Sequence, residues 1–247
     1  MKQDEFRPDV TAAFDGAAGA YDRLVAANPG YHRHLRCSAR RMALPGAGSG
    51  LRLLDAGCGT GASTAALLAT YPRAEIVAVD GSAAMLAGAR RKSWPGSVRF
   101  VHAPIESPGS AVEPGRFDAI FAAYLIRNLA DPDAQLRAFR ALLRPGGTLC
   151  VHEYSVGDSP LARATWNAVC CGVIIPAGFA TTGDAALFRY LRRSVVEFDG
   201  VSRFRRRLGD AGLTAVRTAT MTGWQRNVVH TFLARRPAES DRGRDGR

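Results

Sequence analysis

The sequence predicts an α/β domain: a doubly wound, seven-stranded sheet, mostly parallel, that closes with a C-terminal antiparallel hairpin. Three observations predict it. Short apolar runs alternate with helix-patterned stretches from residue 52 to 155, as in strand–helix–strand crossovers. A glycine-rich stretch, LLDAGCGTGAS (53–63), stands between the first strand and the first crossover helix. Two β-patterned runs, TAVRTATMTG (214–223) and NVVHTFLARR (227–236), follow each other with only a short turn between them.

Taken in order, residues 1–9 are polar and are expected to be a flexible N-terminus. Val10 to Leu44 is helix-patterned, through TAAFDGAAGAYDRL and YHRHLRCSARRMAL, and PGAGSG (45–50) links it to the sheet. The strands are RLLDAG (52–57), EIVAVD (75–80), VRFVHA (98–103), FDAIFAAY (117–124) and GGTLCVHEYS (146–155). Helices are expected over GASTAALLATY, SAAMLAGARRK and about 132–143. Residues 156–212 read as a helical insertion before the hairpin. PAESDRGRDGR (237–247) is charged, turn-forming and expected to be disordered. The expected organisation is one domain over 10–236, with 10–44 as a helical lid and 156–212 as a helical segment on the substrate side.

A chain of 247 residues suits one large domain with a sizeable core. The net charge is +11, and with only Lys2 and Lys92 among 33 basic residues, 31 are Arg (33 − 2). Together with abundant Ala and Gly, that skew is explained as well by a GC-rich genome as by function. No basic run is interleaved with aromatics, so nucleic acid is not an expected partner. The five cysteines (Cys37, Cys58, Cys150, Cys170, Cys171) are odd in number and form no C-x-x-C pair, which argues against a disulfide framework or a structural zinc site. Cys170 and Cys171 read as packed thiols. MKQDEFRPDV has no apolar signal-peptide core, and WNAVCCGVIIPAGFA (166–180) reads as too short to span a bilayer. The expected location is cytoplasmic.

The glycine stretch carries the chemistry. Gly57, Gly59 and Gly61, with Cys58 among them, let the backbone turn sharply and approach a ligand beside the positive end of a helix. Gly57, Gly59 and Ala62 also satisfy the looser dinucleotide pattern, so glycines alone leave two cofactors open. Asp55 favours S-adenosylmethionine, because a carboxylate at that strand end lies beside the cofactor's ammonium and sulfonium. Asp80, followed by Gly81, ends the second strand 21 residues after Gly59, where a carboxylate accepts hydrogen bonds from ribose hydroxyls. The alternative for Asp80 is a helix cap, a task Ser82 can perform.

Asp55-x-Gly-x-Gly-x-Gly with Asp80 resembles the class I S-adenosylmethionine-dependent methyltransferases, whose sheet is Rossmann-like with a C-terminal hairpin. AYDRL (20–24), GYHRHLR (30–36), LIRNL (125–129), LRPGGTL (143–149), HEYS (152–155) and FRYLRRSVVEF (188–198) are similar to segments of the ubiquinone/menaquinone biosynthesis C-methyltransferases. MTGWQRNVVHTF (221–232) fits more loosely. The matches run in order over most of residues 14–236. The resemblance implies methylation of a small aromatic, isoprenoid-quinol-like ring at carbon. It adds Tyr21, as part of a lid, and Ala123 to the cofactor site. The sequence departs from the pattern after the third strand, where Gly-Asp-Ala is replaced by His102-Ala103-Pro104-Ile105-Glu106. Pro104 cannot make the usual adenine contact, which leaves the Ile105 backbone, Glu106 or simple packing. SPGSAVEPG (107–115) and the Trp224-Gln225-Arg226 turn also depart, which bears on the substrate more than on the cofactor.

Carbon methylation of a phenolic ring needs an ionised or polarised hydroxyl and an acceptor for the ring proton. The candidates lie at strand carboxyl ends: Tyr124, Arg127 and Asn128 after the fourth strand, His152 near the end of the fifth, and His230 in the hairpin. No metal is required. Arg127 either stabilises a phenolate or anchors the loop by pairing with Asp131 or Glu153. His152 and His230 are either catalytic or structural imidazoles. Phe14 and Tyr21, seven apart, also fit an ordinary helix face. The 166–180 run and FRYL suit a greasy pocket or peripheral membrane contact, with Arg192, Arg193, Arg203, Arg205, Arg206 and Arg207 facing anionic lipid or simply solvent. A homodimer is a further expectation, with no motif behind it. Methylation of a secondary metabolite and a non-catalytic binding protein are the alternative functions.

Overall fold

The structure is a computed structural model and describes residue 28, residues 30–107, residue 112 and residues 116–238. Tyr21, Phe14 and the rest of the expected lid before residue 28 lie outside the described residues. The first described helix is α1 (Tyr31–Arg41), which leads through a short 3-10 turn to β1 (Arg52–Ala56). Then follow α2 (Ala62–Thr70), β2 (Glu75–Asp80), α3 (Ala83–Arg90), β3 (Val98–His102), β4 (Phe117–Ala123), α4 (Pro132–Leu142) and β5 (Leu143–Tyr154). The sheet order is β3-β2-β1-β4-β5-β7-β6, where β6 is Thr214–Thr220 and β7 is Val229–Arg235. β7 runs antiparallel to both neighbours and is the reversed strand. The expected seven-stranded sheet and hairpin are present. The connection between β6 and β7 is longer than the short turn expected, and it contains a 3-10 turn at Gly223–Gln225.

Strand alternation builds the two apolar layers. Leu54, Val77, Ile120 and Phe232 face one side with Phe139 and Phe204; Leu53, Ile76, Phe121 and Cys150 face the other with Leu35 and Leu67. Three helices begin where a short polar side chain satisfies a free amide. Ser82 accepts from the Met85 amide (3.0 Å), Asp131 from Ala134 (2.9 Å) ahead of Pro132, and Ser159 from Ala162 (3.2 Å) ahead of Pro160. β5 starts three residues earlier than its expected Gly146. Leu143 pairs with Phe117, but the register then jumps to Ala119 opposite Thr148, so Arg144–Gly147 bulges out of the ladder.

Residues 156–212 are helical as expected: α5 (Pro160–Val169), a π turn (Cys170–Ile174), α6 (Ile175–Thr182), α7 (Ala186–Glu197) and α8 (Val201–Asp210). The apolar run belongs to a longer helix than the sequence suggested. α5, the π turn and α6 join end to end, and Pro160–Thr181 is long and apolar enough to cross a membrane by length and composition alone. The π turn precedes Pro176, whose ring would clash with the carbonyl four residues back in a regular α-helix. One face of this helix packs Ala162, Trp166 and Cys170 into the domain, while Leu161 (78% exposed), Val173 (61%) and Phe179 (59%) face outward. Cys171 is exposed too, so only Cys170 of the vicinal pair is a packed thiol.

Candidate active site

The glycine loop is laced to the neighbouring strand. The amides of Gly57 and Cys58 both donate to the Val79 carbonyl at the end of β2 (2.9 and 3.0 Å). Gly59 has φ +55°, and a Cβ added there would meet nothing within 4 Å, so the loop backbone is open on that side. The Asp80 carboxylate accepts from the Gly59 amide through Oδ2 (2.7 Å) and from the Ser82 amide through Oδ1 (2.8 Å). Ser82, not Asp80, caps α3. Asp80 thus spans the glycine loop and the start of α3. Gly61 heads α2, and the Gly81 carbonyl lies 3.0 Å from His102 Nε2.

Asp55 is fully buried at the end of β1. Ser63 and Thr64, in the first turn of α2, both donate to Oδ2 (2.8 and 2.6 Å). Oδ1 is buried without a partner among the described residues. Burial pushes the carboxyl up to about 7, against the pull of the Thr64 and Ser63 hydrogen bonds. A desolvated carboxylate with one unserved oxygen is a site for a cation or a strong donor, and the ammonium or sulfonium of S-adenosylmethionine fits that chemistry. On the far side of the loop, Ile105 is buried and its carbonyl accepts from Gln135 Nε2 (3.3 Å); Pro104 and Glu106 are exposed.

The second cluster forms where β4 ends. Ala123 pairs with His152, and the next residue, Tyr124, takes φ +55°, a left-handed conformation rare for an aromatic. Its amide donates to the His152 carbonyl (2.8 Å). Its carbonyl accepts from Arg127 Nη1 (2.9 Å) and Asn128 Nδ2 (3.0 Å). Arg127 Nη1 also reaches Glu153 Oε1 (2.8 Å), with 4% of the Arg127 side chain exposed and none of the Glu153 side chain. Burial opposes the Arg127 charge, but Glu153 more than restores it, so the guanidinium pKa rises; burial pushes Glu153 up while Arg127 pulls it back. Asn128 Oδ1 accepts from the Tyr190 hydroxyl (3.2 Å). Arg127 and Asn128 thus make the turn-anchoring contacts, with Glu153 as the carboxylate, while Arg127 Nε and Glu153 Oε2 are buried without a partner among the described residues.

Tyr124 is also the centre of an aromatic column. Its ring stacks on Tyr31 (5.6 Å, 18°) and leans on Tyr154 (4.8 Å), which leans on Trp166 (4.6 Å). Its hydroxyl lies 2.9 Å from His152 Nε2. His152 pairs with Thr231 across the β5–β7 ladder, and Glu153 pairs with His230, so the two histidines lie on opposite faces of the sheet. Burial lowers His152 to about 3 and His230 to about 4, keeping both neutral near pH 7.

The profile of the ubiE/COQ5 methyltransferase family matches residues 1–231. The chain belongs to that family. It is 36% identical over 227 residues to a ubiquinone/menaquinone biosynthesis C-methyltransferase UbiE of Syntrophotalea carbinolica, covering 89% of this chain and 92% of the relative. It is 31% identical over 215 residues to a demethylmenaquinone methyltransferase of Clavibacter sepedonicus, covering 86% and 85%. Among solved structures, phosphoethanolamine N-methyltransferase 2 of Haemonchus contortus superposes with a TM-score of 0.67 at 18% identity, over 93% of this chain and 59% of that one. That last likeness speaks for the fold alone. As a member of the ubiE/COQ5 family, the chain is an S-adenosylmethionine-dependent methyltransferase.

The structure brings Asp55, the glycine loop and Asp80 together at one loop, and Tyr124, Arg127, Asn128 and His152 together at the next strand end. His230 lies on the face of the sheet opposite His152, beside Glu153, the partner of Arg127. Sequence reading missed the aromatic column and the hydroxyls that serve buried groups, Ser63 and Thr64 for Asp55 and Ser38 for His152. Helical spacing alone offered a signal for Ser63 and Thr64, since both lie in the turn facing the loop. For Asp55 the linkage has a definite sign. Its folded pKa, about 7, stands above the ordinary 3.8, so ionisation weighs against the cofactor-free fold as pH rises toward 7. A bound cation offsets that. S-adenosylmethionine affinity is therefore expected to weaken below pH 7, by up to about tenfold per pH unit, with proton release near neutrality. Calorimetry in buffers of differing ionisation heat measures both, and Asp55→Asn should remove them. A flat profile from pH 5.5 to 7.5 would take Asp55 out of the cofactor site.

Proposed function

We propose that the chain methylates a ring carbon of a demethylated isoprenoid quinol. The observation that carries this reading is the Tyr31–Tyr124–Tyr154–Trp166 column, packed ring on ring at the end of β4, in which Tyr124 is part-exposed and the other three rings are buried. Two relatives bear names that support it, a ubiquinone/menaquinone biosynthesis C-methyltransferase and a demethylmenaquinone methyltransferase.

When bound, S-adenosylmethionine supplies an electrophilic methyl group. In this reading Asp80 accepts from its ribose, Asp55 Oδ1 faces its positive charge, and Gly59 gives it room. Gly57, Cys58, Gly61, Gly81, Ile105 and Ala123 complete the wall. Tyr124 holds the hydroxyl oxygen of the ring, which pushes electron density to the neighbouring carbon as it ionises. The Arg127–Glu153 pair and Asn128 keep Tyr124 in place rather than touching the ring. Once the new carbon–carbon bond forms, the ring proton on that carbon is strongly acidic. A weak acceptor such as neutral His230 or water is then sufficient.

The departure at His102–Glu106 favours a second reading, methylation of a different aromatic metabolite at oxygen or carbon. Incubation with S-adenosylmethionine and a demethylated menaquinol or ubiquinol, followed by mass spectrometry and assignment of the methylated position, separates the two. Ring-carbon methylation is the expected result; no transfer to any such quinol by a chain that binds the cofactor favours the second reading.

We also propose that the chain works in the cytoplasm at the inner face of a membrane, where such quinols reside. The outward face of the Pro160–Thr181 helix, with Leu161, Val173 and Phe179, supports this, as an apolar helix face of that kind lies in a lipid interface. The chain is expected to float with anionic lipid vesicles, and Phe179→Asp to release it. Sedimentation of the unaltered chain without vesicles would instead leave this face to a second copy.

A further inference from the structure

Behind Tyr124 runs a buried chain of side chains from three elements. Arg41 Nη1 lies 2.7 Å from Thr231 Oγ1, Thr231 Oγ1 lies 2.7 Å from Ser38 Oγ, Ser38 Oγ lies 2.7 Å from His152 Nδ1, and His152 Nε2 lies 2.9 Å from the Tyr124 hydroxyl. Ser38, His152 and Thr231 are all buried, the least so Thr231 at 1%. Three of these bonds are ambiguous taken singly, since hydroxyls and imidazole nitrogens both donate and accept.

Arg41 removes the ambiguity. A guanidinium only donates, and Arg41 is fixed in place by the Ala219 carbonyl (3.0 Å) and the Thr220 carbonyl (2.8 Å) at the end of β6. Thr231 Oγ1 must therefore accept from Arg41. Its own hydrogen has one acceptor among the described residues, Ser38 Oγ; turned elsewhere, it would be a buried donor without a partner. Ser38 then donates to His152 Nδ1. With that nitrogen accepting, the proton of the neutral ring sits on Nε2 and is donated to Tyr124 Oη. Burial, with His34, Arg41 and His230 nearby, lowers the His152 pKa to about 3, so a second ring proton does not upset the order.

We propose that Arg41, Thr231, Ser38 and His152 form a one-directional hydrogen-bond chain that makes Tyr124 Oη an acceptor from His152, so that the Tyr124 hydroxyl donates its own hydrogen to an anionic oxygen of the substrate, a phenolate. This rests on the proposed methylation of a phenolic ring. Each bond in a chain of this polarity strengthens the next, so Tyr124 becomes a stronger donor than a lone tyrosine. Its hydroxyl is placed to stabilise the negative charge that drives attack on the methyl group. Ser38, Thr231 and Arg41 are positioning residues. They act through His152, and none belongs to the cofactor loop.

Nitrogen-15 spectra of histidine-labelled full-length protein at pH 7 test the polarity directly. The His152 ring, identified by its loss in His152→Asn, is expected to carry its proton on Nε2 with Nδ1 bare. Thr231→Val removes the orienting hydroxyl with little change of shape and should yield a mixture of tautomers. It should also lower kcat for quinol methylation about tenfold, the worth of one neutral hydrogen bond to developing charge. The KM for S-adenosylmethionine should be unaffected. Thr231→Ser should restore the single tautomer and most of the rate, which loss of packing would not do. A proton on Nδ1 in the unaltered chain, or Thr231→Val with unchanged tautomer and kcat, overturns the proposal. The expected spectra without methylation of any quinol would overturn the substrate reading and leave the chain standing.

Discussion

The buried Arg127–Glu153 ion pair is the interaction on which the candidate site depends. It lies across the end of the sheet, where β4 gives way to a turn and β5 runs on beside it. Arg127 Nη1 grips Glu153 and the Tyr124 carbonyl at once, and Asn128 adds a second bond to that carbonyl. These bonds, with the Tyr124 amide on the His152 carbonyl, offset the cost of an aromatic residue at φ +55°, about 1–2 kcal/mol. Losing either partner of such a pair leaves a bare charge in the interior, an effect of about 3–5 kcal/mol. The pair therefore fixes the one residue whose ring, hydroxyl and backbone all serve the site.

The two faces of the sheet divide the work. Glu153 and His230 point to one side, where Arg127 locks the turn; His152 and Thr231 point to the other, where α1 lies. Period-two alternation along β5 is enough to separate a structural charge pair from a hydrogen-bond chain made of neighbouring residues. One strand over, the Asp55 and Asp80 carboxylates lie on either side of the glycine loop. One is desolvated and short of a partner; the other is already bonded to backbone amides. A loop arranged this way meets a ligand that is positive at one end and rich in hydroxyls at the other.

Much of this was legible in the sequence. Asp55, Gly59 and Asp80 stand at strand ends whose positions follow from apolar run lengths, so the cofactor loop could be drawn before any coordinates. The strand-end cluster was legible as a location but not as an arrangement. Nothing local says whether Arg127 points at solvent, at a ligand or at Glu153, because that depends on the register between β4 and β5. Ser38 and Thr231 were invisible for the same reason: they are 193 residues apart and meet only because α1 packs against the hairpin. The length of the Pro160–Thr181 helix was missed because Pro176 reads as a terminator, and only a π turn ahead of it lets the helix continue.

The central claim is that the Tyr124 hydroxyl, rather than the Arg127 guanidinium, acts on the substrate. Steady-state kinetics of Tyr124→Phe test it most directly, since the change removes one oxygen and keeps the aromatic column. The account predicts a loss in kcat of about 10²–10³, the range for removing one donor to a developing oxyanion. S-adenosylmethionine affinity should stay at its original value, while the melting temperature falls by a few degrees because the buried His152 Nε2–H loses its acceptor. An unchanged kcat, or an equal fall in cofactor affinity, would contradict it.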